Sequence, residues 1–216
     1  MRIIAALLTV TLAPALAPRA LAQAAAPEPV SSTRLFVMPT GHTLPGSSGY
    51  LDVISLGVAQ FQAGATDWFS FGAGTPSLVF GGERPVWVTP KVALARGRRV
   101  SAAAGTVHVF SSGGSGGFGY AAVTVGQRAT SLTLGVMQGY GDVPDAVRAL
   151  LVGVEHRRAG HTRLMVEASV FRSGGLVIAG VRRVHHHFTS DFGMAVPIAA
   201  DSPVVAFPVI NFGWRF

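Results

Sequence analysis

The chain ends on Ile210–Phe216, with the sequence INFGWRF, and the side chains of this stretch alternate in character. Large apolar residues occupy every second position counted back from Phe216, whereas Asn211, Gly213 and Arg215 lie between them. Because successive side chains of a strand point to opposite faces, the pattern predicts a β-strand with one apolar face and one polar or small face. A transmembrane β-barrel needs such strands, since its outer face meets lipid and carries aromatic residues at the membrane interfaces. A terminal strand that docks into a soluble β-core is the alternative that this segment leaves open.

The same ending resembles the C-terminal strand of bacterial outer-membrane proteins, whose last residue is typically Phe. The resemblance implies that Phe212, Trp214 and Phe216 form an assembly signal. It also implies two partners: the lipids of the outer membrane, and the barrel-assembly machinery, which would contact the C-terminal strand.

The N-terminus has the features of a secretory signal peptide. A positive start at Met1-Arg2 is followed by an apolar run over residues 3–13 and by the small-residue pattern Ala20-Leu21-Ala22. These features predict a signal peptide over residues 1–22 that is removed on export. The apolar run is too short for a membrane anchor and is followed directly by Pro14. Export, together with the C-terminal pattern, predicts the outer membrane of a Gram-negative bacterium as the location.

The rest of the chain consists of a short lead and one domain. Residues 23–32 are rich in Ala and Pro and are predicted to be disordered, and residues 33–216 form a single predicted barrel domain. The chain is 49% hydrophobic, 12% charged and has a mean hydropathy of +0.44. After the signal peptide, however, charged residues or glycines interrupt every apolar stretch before the roughly 20 residues of a membrane-spanning helix. This composition favours a barrel with an apolar outer surface and a polar lumen.

The charge and the absence of cysteine narrow the possible functions. The formal net charge is +7, and removal of Arg2 and Arg19 with the signal peptide would lower it by two. An exported chain meets little nucleic acid, so no nucleic-acid partner is predicted. Anionic lipid headgroups, or a lumen that favours anions, account better for the positive charge. The absence of cysteine excludes disulfides and thiolate metal sites.

Turn residues divide the domain into eleven strand-length segments. A twelfth strand is predicted over residues 34–39, followed by an external loop over residues 40–49, and the sum is even, as in single-chain bacterial barrels. Tight basic turns alternate with looser connections, such as residues 111–116 and 173–175, which are predicted to be external loops. The predicted fold is therefore all-β, an antiparallel up-and-down transmembrane β-barrel of about twelve strands, with ten or eight as alternatives. The eleven segments are residues 50–63, 68–80, 85–95, 99–110, 117–125, 130–140, 148–156, 162–171, 176–184, 189–198 and 204–216.

Alternation also predicts which charged side chains face the lumen. In the segment 162–171, for example, Val166 falls on the apolar face and Glu167 on the opposite one. Opposite charges inside a narrow barrel either pair and fill it, or form a constriction that selects solutes by charge. The charged residues predicted to face the lumen are Lys91, Glu155, Glu167, Arg182 and Asp191.

No catalytic residue, metal site or cofactor is predicted. The run His185-His186-His187 offers imidazole nitrogens, but alternation places only His185 and His187 on one side, and no carboxylate is adjacent. The run is therefore predicted to be a solvated turn. His108 and His156 lie within predicted strands and are assigned to the membrane interface or the lumen. No Ser–His signature with an orienting third group is recognisable, so the protein is predicted not to be an enzyme.

Five short motifs resemble an uncharacterised family of bacterial outer-membrane barrels. The resemblance extends over essentially the whole mature chain and implies the barrel fold and the outer-membrane location, without implying an activity. The chain departs from the family in having Ala and Gly where more aromatic residues are expected, and in its histidine turn. The motifs are MPTGHTLP at residues 38–45, GY at residues 49–50, GATD at residues 64–67, FSFGAGT at residues 69–75 and TPK at residues 89–91.

Two functions of different classes remain at this point. The first is a small passive pore for small solutes, formed by an integral outer-membrane barrel. The alternative is a structural or interaction barrel whose lumen is filled by side chains, with no transport or catalysis. The strand number bears on the choice, because eight strands leave room only for side chains and a wider barrel can leave a passage.

Overall fold

The computed structural model describes residues 32–77, 84–126, 129–142, 148–158, 160–199 and 205–216. The predicted signal peptide and residues 23–31 of the predicted lead lie outside the described residues. Among the described residues, no helix is long and apolar enough to cross a membrane.

The described residues form thirteen strand segments in one sheet. All pairings between these segments are antiparallel, as expected when short turns join neighbouring strands. The segments are β1 (Gly49–Ile54), β2 (Val58–Gly64), β3 (Phe69–Pro76), β4 (Val86–Val88), β5 (Lys91–Arg96), β6 (Val100–Ser111), β7 (Gly114–Gly126), β8 (Thr130–Gly141), β9 (Arg148–Arg157), β10 (Thr162–Phe171), β11 (Gly174–Val184), β12 (Phe188–Ile198) and β13 (Phe207–Arg215).

The sheet closes into a barrel of twelve strands. Each strand pairs with its neighbour in the chain, and β13 pairs with β1, placing Arg215 opposite Tyr50. The segments β4 and β5 both lie between β3 and β6 and form the two halves of one barrel strand. They are separated at Thr89-Pro90, where the proline lacks the N–H that a strand interior needs. The predicted all-β, up-and-down barrel of about twelve strands is confirmed.

One predicted strand is two. Residues 50–63 were predicted as a single strand, but β1 and β2 form a hairpin with Ser55, Leu56 and Gly57 at the turn. Ser55 and Leu56 adopt φ angles of 49° and 57°, in the left-handed region that glycine or asparagine normally occupies. The prediction was wrong because this turn contains none of the usual residues at its left-handed positions.

Another predicted strand does not belong to the barrel wall. Residues 34–39 form a tight hairpin, with a bridge between Arg34 and Pro39 and a hydrogen bond of 2.9 Å from Leu35 N to Met38 O. This hairpin belongs to the plug segment, defined here as residues 33–43, which lies inside the barrel. The two errors compensate: one predicted strand is absent from the wall and another is two strands, so the predicted strand number is right.

The predicted external loop over residues 40–49 also lies elsewhere. Gly46 N donates to Asp67 Oδ1 at 2.9 Å, and Thr43 Oγ1 donates to Asp67 O at 3.0 Å, so the segment lies beside the β2–β3 turn. The backbone hydrogen bond from Gly46, with a smaller contribution from Arg96, holds the pKa of Asp67 below its usual range. We call this end of the barrel, which carries the β2–β3, β5–β6, β7–β8, β9–β10 and β11–β12 turns, the tight-turn end.

Two connections at the opposite end are shorter than predicted. Residues 111–116 and 173–175 were expected to be loose loops, but β6 and β7 are joined by Ser112-Gly113, and β10 and β11 by Arg172-Ser173. Both are two-residue hairpin turns, the commonest connection between antiparallel strands.

The outer surface of the barrel carries exposed apolar side chains on neighbouring strands. Val152 on β9 and Val166 on β10 are 40% and 48% exposed, and Leu134 on β8 is 50% exposed. Aromatic rings gather on this surface near the tight-turn end, where Phe61 stacks on Phe216 with ring centroids 5.9 Å apart. An apolar outer face bordered by aromatic residues is the surface expected of a barrel surrounded by lipid.

Candidate functional site

The charged side chains inside the barrel are centred on a pair between two neighbouring strands. Arg182 on β11 lies opposite Asp191 on β12 and donates to its two carboxylate oxygens at 2.7 and 2.9 Å. Both side chains are almost fully buried. This two-pronged geometry is the strong form of an arginine–carboxylate contact.

The plug segment adds a second arginine to this pair. Arg34 Nε donates to Asp52 Oδ2 on β1 at 2.7 Å, and Arg34 Nη1 lies 3.2 Å from Asp191 Oδ2. Two buried guanidiniums therefore share Asp191. A buried charge is tolerated when it is paired and hydrogen-bonded in this way.

The wall also binds the backbone of the plug segment. Arg182 Nη2 donates to Leu35 O at 2.8 Å, and Asn211 Nδ2 on β13 donates to Phe36 O at 3.0 Å. The carbonyl groups at the hairpin tip thus have polar partners in the wall, as buried backbone groups require.

Two of the residues predicted to face the lumen, Glu167 and Lys91, form hydrogen bonds with the backbone of the plug segment. Glu167 accepts hydrogen bonds from the backbone N–H groups of Val37 and Met38, at 3.1 and 3.2 Å. Lys91 Nζ donates to Thr33 O at 3.0 Å. The alternation of the strands predicted either pairing between opposite charges or a charged constriction, whereas Glu167 and Lys91 hydrogen-bond to backbone groups of the plug segment.

An apolar cluster completes the contact between the plug segment and the wall. Leu35, Phe36 and Met38 are buried against inward-facing side chains of β9 to β13, and Phe36 is fully inaccessible to solvent. The wall residues of this cluster are Ala149, Leu151, Met165, Ile178, Ala195 and Val209. The lumen is therefore closed on this side by both polar and apolar contacts.

The base of the plug segment contacts the other side of the lumen. Gly41 N donates to Thr124 Oγ1 on β7 at 2.8 Å, and a Cβ at position 41 would lie 2.3 Å from Ser101 O on β6. Thr33 Oγ1 lies 2.6 Å from the hydroxyl oxygen of Tyr50 on β1. The glycine of the MPTGHTLP motif is thus needed for the close approach of the plug segment to the wall.

Below the plug segment, a cavity of about 1200 Å³ opens at the tight-turn end. Glu155 lines it, contacts Arg163, and lies with Oε2 3.6 Å from Arg182 Nη1. Glu155 therefore links the cavity to the buried charges around the plug segment. The predicted lumen residues occupy two levels, with Glu155 at the cavity and the other four around the plug segment.

Several residues of this site were not predicted, and their signals differ in strength. Asp52 lies between Leu51 and Val53 in an alternating strand. If residues 49–54 are recognised as a strand, this alternation predicts that the Asp52 side chain points into the lumen. Arg34 carried no such signal, because its role follows from the plug segment being inside the barrel.

The histidines show no metal-binding arrangement. Among the described residues, no group of three or more His, Cys, Asp or Glu side chains could hold a metal ion. His185 stacks near His161, with ring centroids 6.2 Å apart, and His186 and His187 are exposed in the β11–β12 turn. His108 lies on the outer face beside Tyr140, whose hydroxyl oxygen is 3.0 Å from its Nδ1.

Fold and lumen together define a twelve-stranded barrel of the porin fold that holds the plug segment, residues 33–43, inside it. The chain is similar to the KdgM porin in complex with disordered oligogalacturonate, with a TM-score of 0.61, 7% identity, and coverage of 78% of this chain and 98% of that chain. Another KdgM porin structure gives a TM-score of 0.57 at 7% identity, covering 78% of this chain and 96% of that chain. The NanC porin gives a TM-score of 0.55 at 9% identity, and the match covers 78% of this chain and 98% of that chain. At these identities the likeness concerns the fold alone.

Comparisons of the sequence add no family. No protein-family model matches the chain, and no curated protein matches it.

Proposed function

We propose that the protein is an integral outer-membrane β-barrel, exported by a cleaved signal peptide, that passes small solutes passively when the plug segment leaves the lumen. The porin fold, the apolar outer surface and the aromatic residues near the tight-turn end support the location. The proposed partners are outer-membrane lipids and the barrel-assembly machinery, which contacts the C-terminal strand through Phe212, Trp214 and Phe216. No catalytic step is part of this proposal.

The polar character of the wall behind the plug segment carries the proposal. Asp52, Lys91 and Asn211 are buried side chains whose partners include groups of the plug segment. If that segment is displaced, water can hydrate these polar side chains and replace their lost hydrogen bonds. The interior of a permanently packed barrel would instead be expected to be apolar. A wall of this kind favours a lumen that can fill with water.

The apolar cluster favours a second candidate, a structural barrel whose lumen stays filled. Leu35, Phe36 and Met38 bury their side chains against the wall as core residues do. Displacing them exposes that apolar surface to water, which opposes opening. The balance between this burial and the hydration of the polar wall decides whether the pore opens.

Planar-bilayer conductance separates the two candidates. The refolded mature chain is compared with a variant in which residues 33–43 are replaced by a Gly/Ser linker of the same length. We expect rare, brief openings from the unaltered chain and a steady conductance from the linker variant. Gly119→Ala is the matched control, because a Cβ at this position meets no atom within 4 Å. A linker variant that folds, shown by heat-modifiable mobility on a gel, but conducts no current would support the filled structural barrel.

A further inference from the structure

The cavity at the tight-turn end has an excess of positive charge. Of the described residues that line it, five are arginines and Glu155 is the single carboxylate. The arginines are Arg34, Arg98, Arg99, Arg157 and Arg163. Arginine presents a planar set of N–H donors that matches carboxylate and phosphate groups, so this composition selects for anions.

The carboxylates around the cavity are already engaged. Glu155 contacts both Arg163 and Arg182. Asp52 and Asp191 are both paired with Arg34 of the plug segment. Among the ion pairs between described residues, none involves Arg98 or Arg99. Both lie exposed in the β5–β6 turn at the mouth of the cavity. Their charge is therefore available to a ligand from solution.

The remaining lining includes several polar side chains, and the cavity is large. Ser32, Thr40 and Ser131 add hydroxyl groups to the wall, and His42 adds an imidazole. A volume of about 1200 Å³ is far larger than a single inorganic ion needs and lies above the usual range for small-molecule sites. The cavity thus has room for a hydrated molecule that carries several anionic groups.

We propose that this cavity is a binding site for a water-soluble oligoanion, a molecule with two or more carboxylate or phosphate groups, held chiefly by Arg98 and Arg99. The site lies below the plug segment, so binding requires neither its displacement nor conduction through the barrel. The inference therefore goes beyond the proposed pore. Because the arginine charges are partly exposed, binding weakens as ionic strength rises.

Titration calorimetry on the folded chain in detergent micelles tests the proposal. Citrate probes carboxylates, tripolyphosphate probes phosphates, and triethyl citrate is the neutral analogue of the first. We expect heat of binding from at least one of the two oligoanions, loss of that heat at high ionic strength, and no heat from triethyl citrate. The arm that binds more tightly identifies the anionic group that the site prefers.

A double variant ties the binding to the cavity. Arg98→Gln with Arg99→Gln removes two exposed charges at the mouth, and we expect at least about a tenfold weakening of oligoanion binding. Arg172→Gln removes an exposed arginine in the β10–β11 turn, at the opposite end of the barrel, and should leave binding unchanged. The proposal is overturned if neither oligoanion binds, if triethyl citrate binds equally well, or if Arg172→Gln weakens binding as much as the double variant. The first two of these outcomes need no variant to fold.

Discussion

The outer surface and the lumen of this barrel are built from the same strands, yet they follow different rules. Outside, each second side chain meets one uniform environment, and Val152 and Val166 are apolar for that single reason. Inside, particular side chains meet particular groups of the plug segment, and Glu167 and Lys91 are placed for individual backbone atoms. The comparison shows that strand alternation determines which face a residue occupies, whereas the occupant of the lumen determines what the residue does there.

The largest effect is expected where the lumen chemistry is concentrated, at Asp191. Its carboxylate accepts hydrogen bonds from Arg182, Arg34 and Asn211. Asp191→Ala leaves two buried guanidiniums short of a counter-charge, and we expect the free energy of unfolding to fall by about 3–5 kcal/mol. Urea titration of the protein folded in lipid vesicles measures this. Asp67→Ala, in an exposed turn, is the matched control and should have a much smaller effect. Similar losses in both variants would show that Asp191 has no special place in the lumen.

The next largest effect is expected where a charge is placed on the outer surface, because only that face meets lipid. Val166→Arg places a guanidinium toward lipid, and we expect a loss of about 2–4 kcal/mol in the free energy of unfolding from vesicles. Ser131→Arg places the same group on the inner wall of the cavity at the tight-turn end, where water solvates it. We expect a loss below about 0.5 kcal/mol for this control. Equal losses in the same urea titration would contradict the assignment of faces.

A smaller effect is expected at the contact between the base of the plug segment and the wall. A Cβ at Gly41 would lie 2.3 Å from Ser101 O and 2.7 Å from Thr124 N, and neither backbone atom can move freely. We therefore expect Gly41→Ala to lower stability by about 1–3 kcal/mol and to raise the frequency of channel openings in planar bilayers. Gly119→Ala adds a Cβ in open space and should change neither quantity. An unchanged opening frequency in Gly41→Ala would separate the plug segment from the conduction pathway.

The smallest effect on stability is expected at the C-terminal residue. The Phe216 ring stacks on Phe61, and Phe216 N donates to Gly49 O at 3.3 Å, across the junction where β13 meets β1. Phe216→Asp removes one aromatic pair, which corresponds to about 0.5–1.5 kcal/mol. We expect a larger fall in the yield of folded barrel in cells, measured by heat-modifiable mobility, because this residue is proposed to form part of the assembly signal. Arg215→Asp is the neighbouring control, and equal yields from both variants would argue against that role.

The sequence predicted the outer surface well because lipid imposes one requirement on every strand. The ending Ile210–Phe216 alternates for this reason, and so do the strands that contain Val152 and Val166. Local pairing along the chain was also predictable from turn residues, except at Ser55-Leu56, where residues that rarely adopt positive φ form the turn.

The plug segment was not predictable in the same way. Leu35, Phe36, Val37 and Met38 form a continuous apolar run, which resembles a strand buried on both faces. Leu35, Phe36 and Met38 are buried because the barrel surrounds them. This burial depends on contacts with distant strands and cannot be predicted from the local sequence. The contact of Glu167 with Val37, 130 residues away, could likewise not be predicted until the segment is placed inside the lumen.

The most direct test of the plug segment compares two cysteine variants of a chain that has no native cysteine. Leu35 and Val37 would share one face of a wall strand and would then react alike. In the lumen hairpin the two side chains differ, with Leu35 3% exposed and Val37 53% exposed. We measure the rate at which a membrane-impermeant maleimide labels Leu35→Cys and Val37→Cys in the folded protein. If residues 33–43 lie inside the barrel, we expect labelling at least about tenfold faster at position 37, because labelling of a protected side chain requires local opening. In urea we expect the difference between the two rates to disappear. Equal rates in the folded protein would contradict the placement of residues 33–43 inside the barrel.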